Sequence, residues 1–333
     1  MNLNYLIKIF VQAIAVLTIY LQSATMQAQF AGGNGTSDSP YQISTPAQLA
    51  SLASIINAEK STFKDNHYIL TSDIDLSEYS AINANFNNGN GWIPIGIAYI
   101  TPFNGIFDGN GKKITGLYIN SDNNLVGLFG YLTGIVKNLG LEEVNITGEN
   151  DVGGLAGMLY SGIIVNCYVS GNIKGVDQVG GLVGYICFSE MDNCYTLGSV
   201  SGKKNVGGLV GCSTNGKIRS CAALNSSVEA TNATSVRRVA GFYAGSLTEL
   251  NNIAFSEMKV WSRSSLLEPV NDDPNYLADG KGCTAAEIVA AKFFENFFVH
   301  TTSNDDPWTY DEGKLPGFGK AVNMPDYFIF SKF

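Results

Sequence analysis

A four-residue phrase, Gly-Leu-x-Gly, returns at a fixed interval of 27 residues. Gly127-Leu128-Phe129-Gly130 is followed by Gly154-Leu155-Ala156-Gly157, Gly181-Leu182-Val183-Gly184 and Gly208-Leu209-Val210-Gly211. Self-similarity at such a period marks an array of like units, none of which buries its apolar face alone. Other positions keep step. Ile119, Ile146, Ile173 and Val200 form one aliphatic series, and Ile164, Met191 and Ile218 another. Leu125, Val152, Val179 and Val206 precede the glycines, and Cys167, Cys194 and Cys221 form a thiol series. A degraded fifth copy reads as Gly241-Phe242-Tyr243-Ala244, 33 residues after the fourth.

Inside one period the pattern alternates. Cys167, Val169, Gly171, Ile173 and Gly175 are small or apolar, while Tyr168, Ser170, Asn172 and Lys174 interleave with them. A period of two with one apolar set describes a strand with one face inward, and helical spacing of three and four is missing. The expected fold is all-β: a right-handed, single-stranded parallel β-helix with about 27 residues per coil, equivalent residues stacking about 4.8 Å apart. Glycine then serves corners and close backbone approach. Asn166 and Asn193, with Asn138 one residue out of step, suit corners where side-chain amides bond the backbone. The three thiols read as a buried ladder of small apolar groups, and their spacing does not suit zinc.

A bare β-helix exposes strand edges at both ends, so caps are expected. Residues 29–118 read as an N-terminal cap with irregular first rungs. Thr45-Pro46 starts a helix that buries Leu49, Leu52, Ala53 and Ile56. Strand-like pieces follow at Tyr68-Ile69-Leu70, Ile74-Asp75-Leu76 and Trp92-Ile93-Pro94-Ile95, with a turn at Asp108-Gly109-Asn110-Gly111. Regular rungs occupy 119–255. Residues 256–333 read as a closing cap, with a separate small domain as the alternative. There Thr284 and Glu287 form a capping box before a helix running through Ile288, Ala291, Phe294 and Phe298.

Residues 1–28 read as a secretory signal: Lys8, an apolar stretch from Ile9 to Leu21, then small residues Ser23, Ala24 and Ala28. A membrane anchor is the alternative, and no span is expected once a signal is removed. The net charge of −9 excludes nucleic acid as a partner. His67 and His300 are the two histidines, and they support no catalytic triad.

The Gly-Leu-x-Gly units, with Asn166-Cys167-Tyr168, Asn193-Cys194-Tyr195 and the leading Leu70-Thr71-Ser72-Asp73-Ile74-Asp75-Leu76, resemble the GLUG-repeat family of secreted Bacteroidetes-type surface proteins. The resemblance runs from about Tyr41 to Gly245 and extends to the tail Trp308 to Pro316. It implies export to the cell surface or beyond it, with the periplasm as an alternative. It also implies a β-helical stalk or adhesin-like role, and with no catalytic constellation in the sequence the first reading is a non-enzymatic binding module toward a protein or a glycan. A carbohydrate-active or carbohydrate-binding protein, as parallel β-helices often are, is the second reading, and a passive spacer the third. The repeats also occur beside zinc peptidase domains, whose His-Glu-x-x-His site has no counterpart here.

Two candidate sites remain. Tyr168 and Tyr195 fall in the outward set and are expected to stack as an exposed aromatic platform for a sugar or an apolar protein surface. Leu141 and Ala222 are expected on the rungs either side. Asp73 and Asp75 share one strand face and suit calcium or acid chemistry, against a structural role. No other cofactor is implied. Asp272-Asp273, Asp305-Asp306 and Asp108 read as loop or turn residues, and Arg237-Arg238 stands alone, without the acid series a lyase site needs.

Overall fold

A computed structural model describes residues 29–58, 63–80, 86–232, 235–245, 251–267, 279–290, 292–298 and 307–329. The expected signal, Ala291, Asp272-Asp273 and Asp305-Asp306 lie outside them. The chain winds as a parallel β-solenoid of about eight turns of roughly 27 residues. Each central coil visits three sheets. The first sheet runs from Tyr41–Ile43 through Ile106–Thr115, Ile135–Thr147, Ile163–Lys174 and Tyr195–Gly202 to Lys281–Cys283. The second stacks Phe129–Leu132, Ala156–Tyr160, Val183–Cys187, Val210–Thr214 and Ala240–Ala244. The third stacks Asn150–Gly153, Asp177–Gly180, Lys204–Gly207 and Val236–Arg237. Parallel pairing therefore continues past residue 255, through Lys259–Ser262 and Lys281–Cys283, into the segment expected to be only a cap.

The repeat does what its spacing requires. Leu155, Leu182 and Leu209 are fully buried one above another, Leu155 N–H donating to Leu182 O and Leu182 N–H to Leu209 O, both at 2.9 Å. The flanking glycines are forced by backbone contact. A Cβ on Gly181 would lie 2.2 Å from Gly208 O, and one on Gly184 2.4 Å from Val152 N. The third sheet's strand thus presses against the second sheet's strand, and the leucine between them turns inward. Cys167, Cys194 and Cys221 are buried free thiols, as the ladder predicts.

Three register details differ from the simple period. Val126, not Leu125, bridges Val152, and Leu125 joins an outer satellite cluster with Tyr131, Met158 and Cys187. Glu142 and Glu143 together oppose Ser170, a one-residue β-bulge that shifts pairing from Leu141↔Val169 to Val144↔Gly171. Tyr168 consequently sits opposite Gly140 instead of Leu141, and a Cβ on Gly140 would come within 2.5 Å of its ring. The same bulge puts Asn138 out of step. Asn138, Asn166 and Asn193 all adopt positive φ, and their amides bond one another as well as filling a corner. Lastly, the fifth copy is Arg238-Val239-Ala240-Gly241, since Leu209 N–H donates to Val239 O and Val210 pairs with Ala240. Arg238 replaces the first glycine and is buried in an ion pair 2.8 Å from Asp279.

The ends follow their local signals. Thr45 Oγ1 accepts from Gln48 N–H and caps helix α1, Pro46–Asn57, whose Leu49, Leu52, Ala53 and Ile56 are buried. The Thr284–Glu287 capping box forms, but it opens two short helices, α2 (Ala285–Ile288) and α3 (Phe293–Phe297), not one. Lys292 at φ 65° breaks the run between them. Asp108 to Gly111 is not a free turn. It is a widened stretch within Ile106–Thr115, where the register against the next rung shifts between Asp108 and Lys112. Trp92 to Ile95 forms isolated bridges at Gly91 and Ile95 and no strand.

Candidate functional site

Tyr168 and Tyr195 stack with ring centroids 5.0 Å apart and planes 2° from parallel. Alternation points them out of the coil, as expected. They are not an exposed platform, however: Tyr168 is 2% exposed and Tyr195 0%. The C-terminal segment roofs them. Trp308 lies 6.2 Å from Tyr168 and 5.8 Å from Tyr195, Phe318 lies 5.8 Å from Tyr168, and Tyr195 O–H donates to Pro316 O at 2.5 Å. Strand period reports which face leaves the coil. It carries no information about what later chain covers that face.

Where this roof leaves the sheet, a cleft of about 630 Å³ opens, lined by Asp73, Lys113, Glu142, Glu143, Tyr168, Lys320 and Tyr327 among others. The Glu142 carboxylate is held on both oxygens, by Tyr168 O–H at 2.7 Å and Lys113 Nζ at 2.8 Å. Asp73 accepts the Lys113 N–H at 3.0 Å. Burial first, then the Glu142 charge, drives the Tyr168 phenol far above its usual range, so it acts as a donor and not as a base. The structure thus brings Asp73 to Tyr168. It does not bring Asp75, whose Oδ1 accepts Ser77 N–H at 2.9 Å. The bonds to Ser77 hold its carboxyl below the ordinary value. Each aspartate serves local backbone, and among the described residues no three His, Cys, Asp or Glu side chains group to hold a metal.

Among the described residues the second sheet's outer face has no such roof. Tyr99 is 65% exposed, Phe188 59%, Phe242 44% and Tyr160 39%. Tyr99 contacts Tyr131 at 4.8 Å, Tyr131 contacts Tyr160 at 6.3 Å, and Tyr160 contacts Phe188 at 6.4 Å. Phe188 also holds φ 50° at a corner where the flanking rungs place Ser161 and Asn215. The repeat comparison could have found this row, since it falls where one aromatic replaces two turn-forming residues. At its upper end lies a pocket of about 530 Å³, between the Asn87–Tyr99 segment and Ile119–Val126.

Asp151 also escaped the pattern. One of its carboxylate oxygens is buried without a hydrogen bond, and burial, helped by the Asp177 charge, raises the group to about 6. It lines neither cleft.

A family model of the GLUG motif matches residues 202–229. Halomucin from Haloquadratum walsbyi is 40% identical over 148 residues, 43% of this chain and 2% of that protein. A candidate Gly-rich membrane protein from Evansella cellulosilytica is 40% identical over 146 residues, 42% of this chain and 15% of that protein. The chain therefore spans only a small part of either relative's length. The crystal structure of a candidate immunoglobulin A1 protease from Bacteroides ovatus superposes with a TM-score of 0.66 at 20% identity, covering 87% of this chain and 95% of that one. That likeness concerns the fold alone. No helix among the described residues is long and apolar enough to cross a membrane. The chain is thus a β-solenoid that carries a GLUG motif at one coil, with like residues recurring through the coils before it.

Proposed function

We propose that the chain is an exported, surface-type binding module without catalytic activity, and that it grips its partner with the outer face of the second sheet. The observation that carries this is the bare aromatic row, above all Phe188. A bulky residue in the left-handed region costs roughly 1–2 kcal/mol relative to a right-handed or extended one. Ser161 and Asn215 hold the same corner with side chains that suit turns. A phenylalanine kept there, 59% exposed and with one edge contact to Tyr160, gains little for the fold, so its place points to recognition. The names of the two relatives, a halomucin and a membrane protein, agree with a surface setting. The charged cleft suits a structural part, because its central carboxylate is already held by Lys113 and Tyr168.

The test is binding of the purified chain to immobilised panels of surface proteins and glycans by surface plasmon resonance. The native chain is expected to bind at least one partner, and a Phe188→Ser, Phe242→Ser double variant to bind it at least tenfold more weakly. Equal binding by the variant would remove this face from consideration. No binding by the native chain would favour a spacer, and turnover of a glycan substrate would favour an enzyme.

A further inference from the structure

The pocket at the upper end of the aromatic row has an unusual lining: none of its residues carries a charge. Its floor is apolar, with Trp92, Ile119, Leu125 and Val126 all buried. The Trp92 indole N–H is spent on Leu128 O at 3.3 Å, so the ring offers only its hydrocarbon surface. Its wall is Ile93, Ile97 and Tyr99, each more than a third exposed. Its rim is amide and hydroxyl: Asn87, Asn90, Ser121, Asn123 and Asn124.

Part of that rim is committed. Asn87 Nδ2 donates to Gly91 O at 2.9 Å, and Asn124 Oδ1 accepts from Asn150 N–H and Nδ2 at 3.2 and 2.9 Å. Ser121 Oγ accepts from Asn123 N–H at 3.0 Å. The side-chain amides of Asn90 and Asn123, the Asn124 Nδ2, and the Ser121 and Tyr99 hydroxyls remain to serve a ligand. They donate and accept in neutral form.

A ligand that matches has an apolar face, a girdle of neutral hydroxyls and no ionised group. A fatty acyl chain would strand the amide rim without partners, which costs free energy for each buried polar group. An anionic polymer would meet no Lys or Arg in the pocket, on a chain whose net charge is −9. A peptide strand would need an open sheet edge, but Ala156–Tyr160 and Val183–Cys187 are paired on both sides, and the backbone of the end strand Phe129–Leu132 is bonded by Ile95, Gly96 and Phe103. A sugar ring presents C–H groups on its faces and hydroxyls at its edges. The pocket then continues, through Tyr99 and Tyr131, onto Tyr160 and Phe188, along the stacking direction of the coils.

We propose that this pocket binds a sugar residue of an uncharged glycan, with further residues of the same chain lying along the Tyr99 to Phe188 row. This rests on the binding reading above and names its ligand class. The experiment is titration calorimetry and tryptophan fluorescence of the full purified chain with cellohexaose, mannohexaose and hexagalacturonate. At least one neutral hexasaccharide is expected to bind and to perturb tryptophan emission through Trp92. Tyr99→Ala and Asn123→Ala, both at exposed positions and each checked for native folding by circular dichroism, are each expected to weaken it about tenfold, or 1.4 kcal/mol. Hexagalacturonate is expected to bind at least tenfold more weakly than the neutral probe.

Tighter binding of the acidic probe, no binding of either neutral probe, or neutral binding indifferent to both substitutions would overturn the proposal. Should the panel partner of the preceding section still bind, resist competition by the neutral hexasaccharides and ignore Tyr99→Ala, the glycan inference fails while the binding module stands. Loss of all panel binding together with absent sugar binding sinks both.

Discussion

The two outer faces of this solenoid are made by the same rule and finished differently. On the first sheet, outward aromatics stack as Tyr168 on Tyr195 and are closed over by Trp308, Phe318 and Pro316. On the second, Tyr99, Tyr160, Phe188 and Phe242 are left in water. The cleft beside the first is charged, with Asp73, Glu142, Glu143, Lys113 and Lys320. The pocket beside the second has no charged lining residue. An outward aromatic in a solenoid therefore has two fates. It serves either as the seat for the chain's own tail or as surface for another molecule, and cover, not side-chain type, separates them.

Removing the cover tests the comparison hardest. Trp308→Ala is expected to cost about 3–5 kcal/mol, the usual loss for truncating a buried tryptophan. Denaturant unfolding and tyrosine accessibility would check it, since Tyr168 should become reactive. A loss below about 0.5 kcal/mol, typical of surface sites, would mean the roof is loose and the two faces alike. Leu182→Ala, in the core both faces share, is expected to cost about 2–5 kcal/mol. It should not alter tyrosine accessibility at temperatures where the variant is folded, which separates a core defect from a lost roof.

Asp151 belongs to neither face's cleft and tests whether burial without a partner is being carried as a defect. Its folded value, about 6, lies above that of an unfolded aspartate. The folded state thus binds the proton more tightly, and stability falls as pH rises from about 4 through 6. Asp151→Asn is expected to stabilise the protein at pH 7 by on the order of 1–3 kcal/mol, with the gain vanishing below about pH 4. A pH-independent change would refute this origin. The smallest effect is expected at Phe188→Asn, which relieves the left-handed strain and should raise stability by about 0.5–1 kcal/mol. The same variant should weaken partner binding.

How far the sequence reveals this molecule depends on whether a feature repeats. Leu155, Leu182 and Leu209, the thiol ladder and the glycines all state their place through their period, because each is set by the residue directly above it. The bulge at Glu142–Glu143 is a single event, so Leu141 is expected where Gly140 stands, and a separate register step puts Val126 where Leu125 is expected. Arg238 fills the place of the first glycine, and no local pattern records this because its buried partner Asp279 lies far along the chain. The charged cleft brings together Asp73, Lys113, Glu142 and Lys320 from different rungs and the tail. No local pattern records that meeting. Asp73 and Asp75 read as one pair on a strand face, but Asp73 accepts from Lys113 N–H on the next rung and Asp75 from Ser77 N–H, and only Asp73 lines the cleft.

The row of corner asparagines has a consequence for how such a molecule can change length. Asn193 donates to Asn166, Asn166 to Asn138, and Asn138 to Asp108, at 3.2, 3.1 and 3.1 Å. Every amide hands its hydrogen the same way, so the row has a polarity and must end on a group that only accepts. Asp108 is that terminus, and Lys137 balances its charge at 3.1 Å. An inserted coil carrying its own asparagine would bring one donor and one acceptor and leave the terminus untouched. Duplication of whole coils is thus electrically silent along this edge, and the chain can be lengthened in the middle while its first acidic corner stays where it is.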